Sequence, residues 1–140
     1  MSEPEERPAG TGGCLCGAVR YRVDGPLREI IACHCGQCRR MSGHYFAATA
    51  AHRDGFEITN HDGLAWHESS SASRRGFCKR CGSSLFGGSW PEGPEVSIRL
   101  GTLDDDPGIR PQERSHVASK APWDEITDDL PQHPRGRTEL

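Results

Sequence analysis

Large hydrophobic residues are scarce in this chain: Leu, Ile, Val and Phe occupy only 22 of its 140 positions. That share lies below the roughly 20% at which a packed core becomes doubtful. Charge of one sign is lacking too, with 17 basic residues against 20 acidic ones and a net charge of -3. A disordered chain this poor in apolar residues would carry a larger net charge. The chain is therefore expected to fold, with something besides burial to hold it. The missing basic surplus argues against broad attraction to nucleic acid or anionic membrane. No apolar run approaches the ~18 residues of a membrane span. Met1–Gly10 is polar and acidic and has no hydrophobic stretch of the kind found in a secretory signal. The expected location is the cytoplasm, where thiols stay reduced.

What the chain does have is glycine (17), proline (10) and cysteine (7). Abundant Gly and Pro favour many turns and short strands over long helices. Ala18–Val23 alternates apolar and charged residues and reads as a half-buried strand. Further strands are expected at 29–32, 45–51, 56–58, 64–67, 84–86 and 96–100, with one helical turn at 36–41. Turn residues fall at 24–26 and 60–63, and the polar stretch 69–73 reads as an exposed loop. The expected architecture is all-β. It has a tail over residues 1–11, one domain over 12–131 and a polar tail over 132–140.

The cysteines fall into three groups: Cys14-Leu15-Cys16, Cys33-His34-Cys35-Gly36-Gln37-Cys38, and Cys78-Lys79-Arg80-Cys81. In extended chain, residues i and i+2 face the same side, so each C-x-C pair can aim two thiolates at one ion. A C-x-x-C on a tight turn does the same by chain reversal. Gly82, Gly17 and Gly36 each follow a cysteine and permit positive φ there, which would turn amides toward the sulfurs. Soft thiolates in this number favour zinc or an iron–sulfur cluster, and an odd count of cysteines fits disulfides poorly. Seven thiolates divide most simply as four plus three. The four would form a closed structural site, and the three would leave one position open, as catalytic zinc sites do. Spacing alone does not say which cysteines share an ion. The compact triplet Cys33, Cys35 and Cys38 is the natural three-ligand candidate. The competing readings are a second closed site completed by His34, His44, His52, His61, His67 or His116, and a redox dithiol at Cys78 and Cys81. The ferredoxin spacings of an iron–sulfur protein are absent.

At these residues the chain resembles the glutathione-dependent formaldehyde-activating enzyme family, which also includes centromere protein V. The resemblance is carried by Gly12-Gly13-Cys14-Leu15-Cys16-Gly17-Ala18-Val19-Arg20-Tyr21, by Cys33–Gly43, by Phe77–Phe86, and by Ser119–Trp123 followed by Leu130-Pro131. It implies a tent-like all-β fold and two zinc ions per chain. It implies that Cys14, Cys16, Cys78 and Cys81 hold the structural zinc and that Cys33, Cys35 and Cys38 hold the catalytic one. The implied activity is that of a carbon–sulfur lyase joining formaldehyde to glutathione.

Under that reading, Arg39, Arg40 and Lys120 are candidates to engage a carboxylate of the thiol. Gln37 and Ser42 are candidates to orient a ligand, and Trp123 to wall the pocket. The plainer roles are solvated surface charge for the three cations, local turn hydrogen bonds for Gln37 and Ser42, and a core position for Trp123. No residue pattern marks a general acid or base. The alternative to an enzyme is a zinc-binding module that recognises a protein or nucleic acid, for which Arg74, Arg75, Lys79 and Arg80 offer a modest basic cluster. Zinc storage or redox sensing is a third, minor reading. Oligomeric state is not legible.

Overall fold

The computed structural model describes residues 8–136. Within them lie ten strands: β1 (Pro8–Gly13), β2 (Val19–Asp24), β3 (Ile30–Cys33), β4 (Phe46–His52), β5 (Phe56–His61), β6 (Leu64–Glu68), β7 (Arg74–Cys78), β8 (Ser84–Gly88), β9 (Glu95–Arg99) and β10 (Pro111–Ser115). One helix, α1 (Gly36–Ser42), stands where a single helical turn is expected. The all-β reading holds. No described helix is long and apolar enough to cross a membrane. The described residues form two compact units, one built from 8–28 and 49–108 and the other from 29–48 and 109–136.

In the first unit, β1, β2 and β5 make a three-stranded antiparallel sheet in the order β1-β2-β5. Strands β9, β8, β7 and β6 follow one another in a second sheet, with the end of β4 beside β9. β2 alternates as expected: Val19, Tyr21 and Val23 are buried while Arg22 and Asp24 face out. Phe56 and Ile58 of β5, Leu85 and Phe86 of β8, and Val96 and Ile98 of β9 complete the core with them. Rings supply much of it. Phe86 meets Tyr21 and Phe56 edge-on at centroid distances of 5.3 and 5.4 Å and lies 6.1 Å from Trp66. The buried Tyr21 hydroxyl pairs with Thr102 Oγ1 at 2.7 Å, and burial pushes its pKa up to about 12. The aromatic packing needs glycine beside it. A Cβ on Gly76 would stand 2.9 Å from the Trp66 ring, and one on Gly12 would stand 2.3 Å from the Tyr21 hydroxyl.

In the second unit, β3 lies between β10, which is parallel to it, and the start of β4, which is antiparallel. Ile30, Ile31 and Ala32 are all buried, as in a strand covered on both faces. The outer edge of β10 is not left open. The Arg114 N–H donates to Pro131 O at 2.9 Å, His133 N–H donates to Arg114 O at 2.9 Å, and Val117 N–H donates to His133 O at 3.0 Å. Buried Glu113 pairs with His133 Nε2 at 2.7 Å.

Three strands depart from the sequence expectation. β1 starts at Pro8, so residues 8–11 are strand where a tail is expected; residues 1–7 lie outside the described residues. β7 (Arg-Arg-Gly-Phe-Cys) reads as polar, but Arg74 lays its guanidinium 4.0 Å over the Trp66 ring and donates to Trp90 O at 3.0 Å. β10 (Pro-Gln-Glu-Arg-Ser) has no apolar residue and becomes a strand by pairing with β3. At the other end, 132–135 are tied to β10 and the turn after it, and 137–140 lie outside the described residues.

Phe86 is the ring on which the first unit's core converges. Phe86→Ala is expected to cost about 3–5 kcal/mol, read as a lower urea midpoint of metal-loaded protein with an unchanged slope. A cost below about 1 kcal/mol would show that the core does not depend on these rings.

Two candidate metal centres

Four sulfurs meet in the first unit. Cys14 and Cys16 stand on the turn between β1 and β2, Cys78 ends β7, and Cys81 lies on the turn into β8. All four Sγ atoms lie within 4.8 Å of one another. The Cys14–Cys16 separation is 3.7 Å and the Cys16–Cys78 separation 3.8 Å. Two sulfurs at ~2.3 Å from one tetrahedral zinc stand about 3.8 Å apart, so this set fits such an ion.

The backbone is shaped to serve these sulfurs. Gly17 and Gly82 have φ of 83° and 82°. Val19 N–H donates to Cys14 Sγ at 3.2 Å, and Ser83 Oγ lies 3.2 Å from Cys81 Sγ. A Cβ on Gly63 would come within 3.1 Å of Cys78 Sγ, so the strand turn closes directly over that sulfur. Gly36, expected to resemble Gly17 and Gly82, does not: it opens α1 and keeps a negative φ, because Cys35 already caps the helix.

The thiols cannot all ionise unaided. The Ser83 hydroxyl and amide pull Cys81 down to about 5. The Ala18 amide alone would lower Cys16, but desolvation and three thiol neighbours lift it to about 11. Four thiolates at these distances would need a cation among them, and the set could hold one.

Three sulfurs meet in the second unit. Cys33 ends β3, Cys35 is the N-cap of α1, and Cys38 sits buried in that helix. Their Sγ atoms also lie within 4.8 Å of one another, and among the described residues no histidine or carboxylate joins them. Cys35 Sγ accepts the Cys38 N–H at 3.3 Å. The thiol of Cys38 holds Cys33 down to about 4, and the same contact pushes Cys38 up. The strand end brings 33 and 35 together, and one helical turn returns 38 to them.

His34 does not face this cluster. It is 1% exposed, with Nε2 at 3.1 Å from Arg114 Nη1 and Nδ1 at 3.8 Å from Asp124 Oδ2. A guanidinium only donates, so Nε2 accepts and the ring is neutral with its proton on Nδ1. Burial and the Arg114 charge both lower its pKa. Arg114 is held in turn by Asp128 at 2.7 Å. His44 Nε2 lies 2.9 Å from Asp124 Oδ1. The hydrogen bond from His44 keeps Asp124 below the usual carboxylate range.

The remaining candidates separate. Trp123 is 65% exposed, so it is not a core residue, and its ring lies 5.4 Å from that of His44. The Lys120 ammonium donates to the carbonyls of Ala121 and Asp124 and so ties its own loop. The Ser42 hydroxyl donates to Cys38 O at 2.6 Å and accepts from His44 N–H at 3.1 Å, which is the local turn role. Gln37 and Arg40 are exposed on α1, and Arg39 is half-buried near its end. In the first unit, Arg80 pairs with Asp62 at 3.2 Å and Arg74 is spent on Trp66 and Trp90, which depletes the basic cluster. Sequence reasoning missed Arg114, Asp124, Asp128 and Tyr45, whose ring packs against both His34 and His44. Only the proximity of Asp124 to the Trp123 motif could have hinted at one of them. A groove of about 440 Å³ in the first unit, with Glu68, Arg74 and Glu92 in its wall, contains none of the seven cysteines. Size alone does not make it the reactive site, because the thiols lie elsewhere.

A family model described as glutathione-dependent formaldehyde-activating enzyme matches residues 9–119. A Halomonas elongata protein that carries the family's name is 35% identical, with 82% of this chain and 79% of that protein covered. A Schizosaccharomyces pombe protein named as an uncharacterized lyase is 29% identical, over 56% of this chain and 57% of its own length. The crystal structure of a Rhodobacter sphaeroides protein superposes with a TM-score of 0.56 at 23% identity, covering 72% of this chain and 91% of that one, and so shares the fold.

Metal analysis of protein purified under reducing conditions is expected to give two equivalents of zinc. Cys78→Ser should lose one and unfold, since structural zinc supplies on the order of 10 kcal/mol to a small fold. Cys38→Ser should lose the other with the first unit's circular dichroism retained. Two equivalents kept by either variant would show that these sulfurs are not ligands.

Proposed function

The chain belongs to the glutathione-dependent formaldehyde-activating enzyme family, and from that premise we propose that it is a zinc-dependent lyase-type enzyme of carbon–sulfur chemistry. Its substrate is the adduct of a small thiol with a small carbonyl, glutathione and formaldehyde being the representative pair. The observation that carries this reading is the division of seven thiols into a four-sulfur and a three-sulfur cluster. Cys14, Cys16, Cys78 and Cys81 would hold a closed structural zinc. Cys33, Cys35 and Cys38 would hold a catalytic one, whose fourth position no described side chain fills. When bound there, zinc supplies Lewis acidity and a template.

The chain's own residues supply the rest. Arg39 and Arg40, on the last turn of the helix that carries Cys38, attract the carboxylates of the thiol. Gln37, exposed on the first turn, offers an amide to orient it. The exposed face of Trp123 walls the opening, and Lys120 fixes the loop that carries Trp123 through its bonds to Ala121 and Asp124. Residues 12–131 make up the zinc-binding domain in this reading. A protein of seven reduced cysteines suits the cytoplasm.

Hemithioacetals form without a catalyst, so the test is a rate. Two-dimensional exchange NMR on glutathione and formaldehyde should show exchange accelerated in proportion to zinc-loaded protein. Arg39→Glu combined with Arg40→Glu should raise KM about tenfold, the equivalent of one lost charged contact, with kcat little changed. If no small thiol and aldehyde are exchanged faster with the protein than without it, the proposed activity is wrong.

A further inference from the structure

The family reading leaves one chemical task without a residue: the thiol must lose a proton before its sulfur can attack. We propose that His44, oriented by Asp124, is the proton-transfer residue of the three-cysteine site. This assignment rests on the proposed function.

Three observations carry it. The first is the dyad itself. His44 Nε2 and Asp124 Oδ1 are 2.9 Å apart, with Asp124 13% exposed and His44 47% exposed. A carboxylate accepts only, so it fixes the proton on Nε2 and leaves Nδ1 as the basic nitrogen. Among the described residues, Nδ1 has no hydrogen-bond partner. One nitrogen is anchored while the ring still reaches solvent, which is the arrangement of a general base held in one tautomer.

The second is placement. The His44 N–H donates to Ser42 Oγ at 3.1 Å, and that hydroxyl donates to the carbonyl of Cys38 at 2.6 Å. From the other side, Asp124 Oδ2 approaches within 3.8 Å of Nδ1 of His34, the residue between Cys33 and Cys35. The dyad is thus linked to the backbone of Cys38 on one side and to the residue between Cys33 and Cys35 on the other.

The third is that the other titratable groups around it are already engaged. His34 is buried against Arg114, Arg114 is paired with Asp128, and Lys120 is bonded to backbone carbonyls. Tyr45 and Trp123 flank the His44 ring, at centroid distances of 4.6 and 5.4 Å, and limit its rotation.

The step balances. The S–H proton passes to Nδ1 of His44, and the sulfur lone pair forms a bond to the carbonyl carbon. The C=O π pair moves to oxygen, which takes the proton back from Nδ1 to give the hydroxyl of the hemithioacetal. The reverse sequence cleaves it.

The test counts protons. Glutathione is titrated calorimetrically into zinc-loaded protein near pH 7.5 in buffers of differing ionisation enthalpy. In the wild type the thiol proton stays on His44, and net release is well below one. In His44→Gln release should rise toward one, kcat should fall about 10²-fold or more, and KM and metal content should hold. Asp124→Asn should shift both readouts in the same direction, since an amide can donate to the ring and favour the wrong tautomer. A cobalt(II)-substituted sample of each variant checks that the cysteine cluster is intact. Thiol binding with equal proton release and equal kcat in wild type and His44→Gln would overturn the assignment while leaving the proposed function standing. Failure of the wild type to bind or turn over any thiol would overturn both.

Discussion

The structure depends on bringing thiol sulfurs closer together than their charges allow. Four lie within 4.8 Å of one another in one unit and three in the other. Within each set the thiols are pushed in opposite directions: Cys81 and Cys14 below the usual thiol range and Cys16 above it in one, Cys33 below it and Cys38 above it in the other. A divalent cation removes that conflict and turns repulsion into attraction. For a chain this poor in aliphatic residues, such an attraction would join β1–β2 to β7–β8, which a thin core would hold only weakly.

The hydrophobic part of the first unit is arranged to match. Its core is rich in aromatic rings, with Tyr21, Phe56, Phe86, Trp66 and Trp90 linked by ring contacts. Large rings bury much area per residue, so a few of them make up for a shortage of Leu and Ile. Cys14 and Cys78 belong to the same buried cluster. The four-cysteine cluster and the apolar core are therefore contiguous in that unit, not a site added to a finished scaffold.

The second unit spends its polar residues differently. His34, Arg114 and Asp128 form a run of paired groups that fixes one histidine as neutral and unreactive. His44 and Asp124 form a second pair that leaves a ring nitrogen available to solvent. Two histidines ten residues apart thus receive opposite surroundings from partners that lie about 80 residues further along the chain.

The strands over β2–β6, β8 and β9 were legible because apolar residues alternate there or run together. β7 and β10 were not. β7 buries an arginine against a tryptophan, and β10 owes its extended form to hydrogen bonds with β3; neither effect leaves an apolar pattern. By itself the sequence determined the ligand chemistry and the three cysteine groups, because a chelating pair must be close in the chain for a strand or a tight turn to aim both sulfurs at one ion. The grouping of Cys14 and Cys16 with Cys78 and Cys81 was an expectation that strand pairing realises across 62 residues; only the tertiary structure decided that Arg114 meets His34 across 80. Such pairings are made by strand register and by the paths of connecting loops, and local spacing carries no information about either.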